Sequence, residues 1–210
     1  KNKKSPRPHQ EKAIQDVLNG FETSNKGKLI LACGTGKTLT SMWIHERIKS
    51  KRTLFLVPSL SLINQTLLEW SANAGNDFER IVICSDDSVT HNGEDHAISS
   101  TSDLGIEVTT NPAKVAQFLT KKHTKPIIVF CTYQSSDRVA LAQKNGAPNF
   151  DLVIADEAHR TTGHVESNFA TVLDDQKIKS ERKLFMTATP RYFTDRVINK
   201  SKKLEYEMAS

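Results

Sequence analysis

Residues 29–38 read LILACGTGKT, an apolar segment that runs into a small glycine-rich turn. Glycines let backbone N–H groups converge on phosphate oxygens, and a helix that follows presents its positive N-terminus to them. In such a turn Lys37 reaches the β- and γ-phosphates and the Thr38 hydroxyl ligates Mg²⁺. Leu31 stands where the strict pattern has its first glycine, so a plain strand-to-helix turn is the alternative. The members of the predicted triphosphate site are Cys33, Gly34, Thr35, Gly36, Lys37 and Thr38.

A second apolar segment, residues 152–155, ends in the paired acids Asp156 and Glu157, which Ala158 and His159 follow. Two adjacent carboxylates at the end of a strand can divide the work of hydrolysis. Asp156 can hold Mg²⁺ through its water shell, while Glu157 can orient and deprotonate the water that attacks the γ-phosphate. The alternative is an acid pair that caps the start of a helix.

The elements that must position these residues are visible as short apolar runs between segments of helical spacing. The runs are continuous rather than alternating, as expected of strands covered on both faces. Two helical segments lie between them, one with an apolar stripe ending at Trp70 and one behind an Asn111 cap with Pro112 at its first position. This alternation predicts an α/β fold with a mostly parallel central sheet and helices on both faces. The apolar runs are 29–31, 54–57, 81–84, 127–131, 152–155 and 184–186.

The chemistry-bearing residues share one place in this pattern, since each follows or closes an apolar run. In open α/β sheets, ligands sit outside the carboxyl ends of the strands. We therefore expect one edge of one sheet to carry residues 34–38, Pro58, Thr132, Asp156 and Thr187 together.

With these motifs in order, the chain resembles the superfamily 2 helicases and translocases from Arg7 to about Arg191. Residues 7–10, RPHQ, are similar to the glutamine motif of that family, and residues 56–59, LVPS, resemble its motif Ia. Residues 131–135, CTYQS, resemble the next strand-end motif, and residues 187–190, TATP, match motif III. The sequences of the glycine turn, of the acid box (residues 156–159, DEAH) and of motif III look most like those in the motors of restriction and phage-defence enzymes, including single-polypeptide restriction-modification proteins.

The resemblance implies a RecA-like P-loop lobe that uses ATP and Mg²⁺, with a role for each matching residue. Arg7 and Gln10 would contact the nucleotide, Gln10 by reading the adenine edge. Lys37, Asp156, Glu157 and His159 would be catalytic. The residues that would couple the phosphate site, through His159, to the nucleic acid are Thr187, Ala188 and Thr189. Those that would touch the nucleic-acid backbone are Pro58, Ser59, Thr132, Tyr133 and Gln134, although packing is an equal alternative for Tyr133.

Domain boundaries follow from composition. We expect one lobe over residues 1–193, interrupted by a polar insertion at 85–105, and a linker or terminal helix at 194–210 that leads to a second RecA-like lobe. The family draws arginines for hydrolysis from that second lobe, so we expect this chain alone to be nearly inactive. The sequence shows no nuclease centre.

Charge, cysteines and hydropathy limit the partners and the compartment. The net charge is +5, but six lysines at the two ends account for it and leave the body at −1, so charge alone does not indicate nucleic acid. The resemblance to helicases and translocases does imply a nucleic-acid partner, and it favours DNA over RNA. Cys33, Cys84 and Cys131 are predicted to be free buried thiols of a cytoplasmic protein. Apolar runs stay far below the ~20 residues that a membrane span needs.

Two functions remain open from the sequence. The first is the ATP-binding lobe of an ATP-dependent nucleic-acid translocase or helicase. The second is a module that binds or senses nucleic acid under ATP control without stepping along it. Both require Lys37 and Asp156, and they differ at Glu157, because a clamp that only closes on ATP does not need hydrolysis.

Overall fold

The computed structural model describes residues 3–85, 108–157 and 171–188. Within these ranges a single sheet of seven strands forms the centre of the molecule, and every pairing in it is parallel. The predicted α/β fold is confirmed. The strands are β1 (Lys26–Ile30), β2 (Arg52–Val57), β3 (Glu79–Ile83), β4 (Val108–Thr109), β5 (Ile127–Thr132), β6 (Phe150–Ala155) and β7 (Ser180–Thr187).

The order of the strands across the sheet is β1-β7-β6-β2-β5-β3-β4. Register brings the ends of the central strands together: Leu56 pairs with Ala155 of β6, and Val57 pairs with Thr132 of β5. On the other side of β6, the last residue of β1, Ile30, pairs with Thr187 of β7. The carboxyl ends of β1, β7, β6, β2 and β5 therefore lie along one edge, as the sequence predicts.

In the described ranges five helices with defined bounds pack beside the strands, and two of them start at a capping residue that the sequence shows. Ser59 caps one helix by accepting a hydrogen bond from Leu62 N at 3.4 Å, and Asn111 caps another by accepting one from Ala113 N at 2.9 Å. Pro112 occupies the first turn behind that Asn111 cap, as predicted. The helices are α1 (Pro8–Thr23), α2 (Lys37–Ile48), α3 (Leu60–Asn73), α4 (Pro112–Thr120) and α5 (Ser136–Lys144).

Each face of the sheet has its own core. Phe55 and Val57 point to the face covered by α1, α2 and α3, whereas Leu54 and Leu56 point to the face covered by α4 and α5. All four side chains are fully buried. Because both faces are covered, the strands contain uninterrupted apolar residues, which is why the sequence showed no alternation.

Two details differ from the sequence-based expectations. Cys84 and Cys131 are buried free thiols as predicted, but the prediction for Cys33 is wrong, because this thiol is exposed in the glycine turn beyond the end of β1. The two-residue strand β4 was also not expected, since it is too short to give a pattern. The predicted segment 194–210, all but the first residue of the predicted insertion 85–105, and the site residues His159 and Thr189 lie outside the described residues.

Candidate nucleotide-binding site

The glycine turn between β1 and α2 is shaped by two left-handed glycines. Gly34 has φ 77° and Gly36 has φ 84°, a region that residues with a Cβ seldom adopt. Thr35 closes the turn, because its backbone N–H and its hydroxyl both donate to the carbonyl of Ala32, at 3.3 and 2.7 Å. Helix α2 begins at Lys37, immediately after Gly36, so its N-terminus opens into the turn. This is the geometry that binds an anion.

Gln10 holds the turn from the side of α1. Its amide nitrogen donates to the carbonyl of Thr35 at 2.9 Å, and its amide oxygen accepts from the backbone N–H of Arg7 at 2.9 Å. A Cβ on Gly36 would collide with this Gln10 amide, which gives a second reason for glycine there. Gln10 is buried and Arg7 is exposed. The structure thus places Gln10 against the glycine turn, while its contact with adenine stays a prediction.

Lys37 and Glu157 meet across the site. The Lys37 ammonium lies 2.7 Å from Glu157 Oε1, and the two side chains are 9% and 13% exposed. The residues are 120 positions apart in sequence, so this contact is a direct test of whether the glycine turn and the acid box converge. They do. Glu157 has φ 52°, a left-handed conformation that is uncommon for a residue other than glycine, asparagine or aspartate.

Asp156 lies at the end of β6 and is 6% exposed. Its backbone N–H donates to Leu56 O at 2.8 Å, which anchors it to β2, and its Oδ1 accepts from Glu157 N at 2.9 Å. The pKa of Asp156 is raised to about 6, mainly by desolvation and also by the charge of Glu157, while Lys37 and the hydrogen bond from the Glu157 N–H oppose the rise. A nearby cation would offset this cost of keeping the carboxylate charged.

The oxygen donors present fit Mg²⁺. Thr38 lies in the first turn of α2, and its backbone carbonyl accepts from the indole N–H of Trp70 at 2.9 Å and from the Ser41 hydroxyl at 2.7 Å. No cluster of three or more His, Cys, Asp or Glu side chains that could hold a metal exists in the described ranges. Mg²⁺ is usually bound by one or two carboxylates together with waters and substrate phosphates, so the Thr38 hydroxyl and the Asp156 carboxylate would be enough as protein ligands; that they hold the ion stays a prediction.

The predicted coupling residues follow strand β7. Thr187 is buried and its carbonyl accepts from Leu31 N at 3.1 Å, which ties the end of β7 to the start of the glycine turn. Ala188, the next residue, is half-buried. Motif III therefore begins beside the glycine turn; its role in coupling stays a prediction.

The five residues predicted to touch nucleic acid separate into two groups. Pro58 and Ser59 are half-buried and Gln134 is exposed, and all three lie at the carboxyl edge. Thr132 and Tyr133 are fully buried. The Tyr133 hydroxyl donates to the backbone carbonyl of Asp156 at 2.8 Å, so this side chain points into the lobe, in agreement with the packing alternative.

Sequence reasoning missed two contacts that support the site from behind: Trp70 on Thr38 and Tyr133 on Asp156. The sequence places Trp70 in the core, which its full burial confirms. Neither hydrogen bond could be read from spacing, because each joins residues more than twenty positions apart through the packing of separate elements.

Seven parallel strands that bring a glycine turn and an acid box to one edge define a RecA-like ATPase lobe of the superfamily 2 helicase type. The family is also clear from comparison. Residues 3–192 match the family model described as "Type III restriction enzyme, res subunit", and the chain belongs to that family.

Individual proteins with similar sequence or structure agree with this assignment. The chain is 33% identical over 193 residues to "Probable helicase A859L" of African swine fever virus, covering 87% of this chain and 20% of that protein. It is similar to the Type ISP restriction-modification enzyme LlaGI, solved as a nuclease-deletion mutant with a DNA substrate mimic, at TM-score 0.74 and 33% identity over 90% of this chain and 18% of that one. The Type ISP enzyme LlaBIII bound to DNA gives TM-score 0.77 and 33% identity over 90% of this chain and 13% of that one.

This chain thus spans about a fifth or less of each of these three proteins. In the part of the chain that the structure covers, no helix has both the length and the apolar character to cross a membrane.

Proposed function

We propose that this chain is the ATP-binding lobe of an ATP-dependent translocase or helicase that works on nucleic acid. The observation that carries the proposal is the contact of Lys37 Nζ with Glu157 Oε1 at 2.7 Å. It joins the residue suited to bind phosphates with the residue suited to act as the base, at the mouth of a left-handed glycine turn. The acid-pair-as-cap alternative explains none of this convergence.

The residues divide the hydrolysis of ATP among them. The N-terminus of α2 and the Lys37 ammonium would hold the phosphate oxygens, while Glu157 would accept the proton of the attacking water. Thr38 and Asp156 would hold Mg²⁺, which neutralises charge that develops on the phosphates. Since Lys37 now pairs with Glu157, binding of a phosphate would compete for the ammonium and free the carboxylate for the water.

DNA is the proposed nucleic acid, and its backbone is the proposed contact. Ser59 and Gln134 offer a hydroxyl and an amide at the carboxyl edge, groups that bind phosphate and sugar without reading bases. The relatives LlaGI and LlaBIII were solved with DNA or a DNA mimic, which supports DNA over RNA for this chain as well. The cytoplasm is the proposed compartment, since Cys84 and Cys131 are free buried thiols.

A second RecA-like lobe in the same polypeptide is part of the proposal. The family stabilises the charge of the transferred phosphoryl group with arginines, which here would come from residues beyond this lobe. We therefore propose that the complete protein is the motor of a restriction or related defence enzyme, and that residues 1–210 alone hydrolyse ATP hardly at all.

The test is ATP hydrolysis by the complete protein with and without single- and double-stranded DNA and RNA. We expect DNA to raise the rate several-fold, and Lys37→Ala to abolish it. Lys12→Ala is the matched control, because that lysine is 77% exposed on α1 and its ammonium pairs with Asp16 and not with a residue of the site. If no polynucleotide raises the rate, the motor proposal is wrong. If Glu157→Gln keeps ATP-dependent DNA binding and the parent never moves along DNA, the ATP-gated binding module is the better description.

A further inference from the structure

The peptide unit between Asp156 and Glu157 is hydrogen-bonded at both of its polar atoms. Its carbonyl oxygen, that of Asp156, accepts from the Tyr133 hydroxyl at 2.8 Å. Its N–H, that of Glu157, donates to Asp156 Oδ1 at 2.9 Å. The φ torsion of Glu157 is measured against this peptide plane, so the two hydrogen bonds hold one side of the torsion that has the left-handed value of 52°.

Glu157 needs such support, because a left-handed conformation at a residue with a long side chain persists only where its surroundings hold it. The conformation aims the Glu157 carboxylate at Lys37, 2.7 Å away. If φ of Glu157 relaxed from this left-handed value while the peptide plane stayed held, the Cα–Cβ bond would turn and carry the carboxylate away from the glycine turn. The support is therefore directed at the group that the proposed mechanism uses as a base.

Tyr133 is well placed to give this support. It follows the last residue of β5 and opens a single turn of 3-10 helix, Tyr133–Ser135. Strands β5 and β6 flank β2, so the Tyr133 side chain reaches past the end of β2 to the end of β6. The side chain is fully buried. Burial raises the pKa of the Tyr133 hydroxyl well above its ordinary value, with Asp156 and Glu157 adding to the shift, so the group stays a donor at neutral pH.

We propose that Tyr133 is a positioning residue for Glu157: its hydroxyl holds the Asp156–Glu157 peptide so that the Glu157 carboxylate stays directed at the glycine turn. This inference rests on the proposed function for the role of Glu157. The sequence predicts that Tyr133 touches nucleic acid. The inference instead assigns Tyr133 a role inside the proposed ATP site.

The test compares Tyr133→Phe with Thr53→Val in the complete protein. Thr53→Val is the matched control, because Thr53 is also fully buried and its hydroxyl bonds to His45 at 2.8 Å and Ser50 at 2.7 Å, near the opposite end of β2. A general base contributes about 10²- to 10⁴-fold, and we expect Tyr133→Phe to forfeit about tenfold in kcat. KM for ATP and Kd for DNA should stay within about twofold of the parent, because the phosphate and DNA contacts remain.

Two further readouts separate positioning from a loss of structure. In a Glu157→Gln background, Tyr133→Phe should lower the rate no further, because it acts through the carboxylate that is already gone. An unchanged kcat, or an equal tenfold loss in both backgrounds, would overturn the proposal. So would a loss of rate that Thr53→Val reproduces at equal thermal stability.

A crystal structure of Tyr133→Phe gives an answer that does not depend on activity. We expect the Asp156–Glu157 peptide to turn and the Lys37–Glu157 distance to exceed hydrogen-bonding range. A peptide that stays in place would contradict the role of Tyr133 even if the complete protein is a DNA-stimulated ATPase. Absence of DNA stimulation in the parent would contradict the proposed function and leave this structural result standing.

Discussion

Two buried lysines sit at opposite ends of the sheet, and each forms an ion pair with a carboxylate. At the carboxyl edge, Lys37 lies 2.7 Å from Glu157, whose side chain is 13% exposed. Near the start of β1 and β7, Lys183 lies 2.8 Å from Asp175, whose side chain is 53% exposed. Lys183 also donates to the carbonyl of Val172 at 2.8 Å, and Asp175 pairs with Lys26 at 2.6 Å.

The comparison shows that burial and an ion pair do not by themselves make a site. Lys183 bonds to a main-chain carbonyl and a shared carboxylate, which ties residues 172–175 to the start of β7. Lys37 is instead the first residue of a helix and follows two left-handed glycines, in a turn with the backbone geometry that suits an anion. The difference therefore lies in the backbone around Lys37 and not in the ion pair itself. That backbone could bring a phosphate to Lys37, and the phosphate would replace Glu157 as the partner of the ammonium.

The pKa values at the second pair fit a structural role. Desolvation lowers the pKa of Lys183, and the hydrogen bond to Asp175 opposes that effect. For Asp175, desolvation acts to raise the pKa, but the hydrogen bonds from Lys183 and Lys26 outweigh it and hold the pKa below its usual value. The lowered pKa of Asp175 keeps its carboxylate charged at neutral pH, as an ion pair that ties two segments together requires.

The largest expected effect separates the two lysines by activity. Lys37→Ala should lower ATP hydrolysis by the complete protein about a hundredfold or more, because it removes a charge that stabilises the transferred phosphoryl group. Lys183→Ala should leave the rate per folded molecule within about twofold. Steady-state kinetics on both variants measure this, and equal losses would mean that the two pairs do not differ as described.

The second effect separates them by stability. Lys183→Ala should lower the free energy of unfolding by about 2 kcal/mol, since it leaves the buried Val172 carbonyl without this donor and removes packed methylene groups. Urea unfolding of the chain gives the value. Lys12→Ala, at an exposed site, is the control and should change stability by less than about 0.5 kcal/mol.

Gly36→Ala sharpens the role of the backbone around Lys37. The residue has φ 84°, and its new Cβ would collide with the Gln10 amide, so the turn must shift. We expect nucleotide affinity to fall about tenfold, in line with strain of about 1–2 kcal/mol in the binding conformation. Calorimetric titration with ATP measures it. Gly20→Ala in α1, where a Cβ meets nothing within 4 Å, should leave affinity unchanged.

The smallest effect is a pH dependence at the second pair. Because the folded-state pKa of Asp175 is below its unfolded value, its contribution to stability is full above the ordinary carboxyl pKa and is lost as pH falls through the folded pKa. Asp175→Asn should therefore lose most stability relative to the parent at neutral pH, and the gap should close toward acid. Unfolding curves at several values between pH 7 and about pH 3 test this, and a gap that widens toward acid would contradict it.

The fold and half of the site follow from local patterns. The strands were readable as short continuous apolar runs, and the stripe ending at Trp70 was readable because buried positions recur with the period of a helix. The Asn111 cap was readable because an asparagine followed by proline is typical of a helix start. The glycine turn and the acid pair were readable because phosphate and Mg²⁺ chemistry demands particular residue types. Their meeting, through Lys37 and Glu157, followed from the rule that parallel strands expose their carboxyl ends at one edge.

The contacts that hold the site were not readable, because they depend on how separate elements pack. Tyr133 follows a strand that ends at the predicted edge, so the pattern could not distinguish a side chain directed outward from one directed inward. Lys183 lies in a strand whose first residues are polar, and its partner lies outside that strand. Cys33 follows an apolar run and looked buried, yet the left-handed turn carries it outward.

The hydrogen bond from the Trp70 indole to the Thr38 carbonyl has a practical consequence. The emission of a tryptophan depends on what its N–H touches, and this indole touches the first turn of the helix that would receive the phosphates. Trp70 is fully buried against Phe55 and Phe130, so quenchers in the solvent are kept from it. We therefore expect the fluorescence of Trp70 to respond to a change at the glycine turn while remaining protected from quenchers in the solvent.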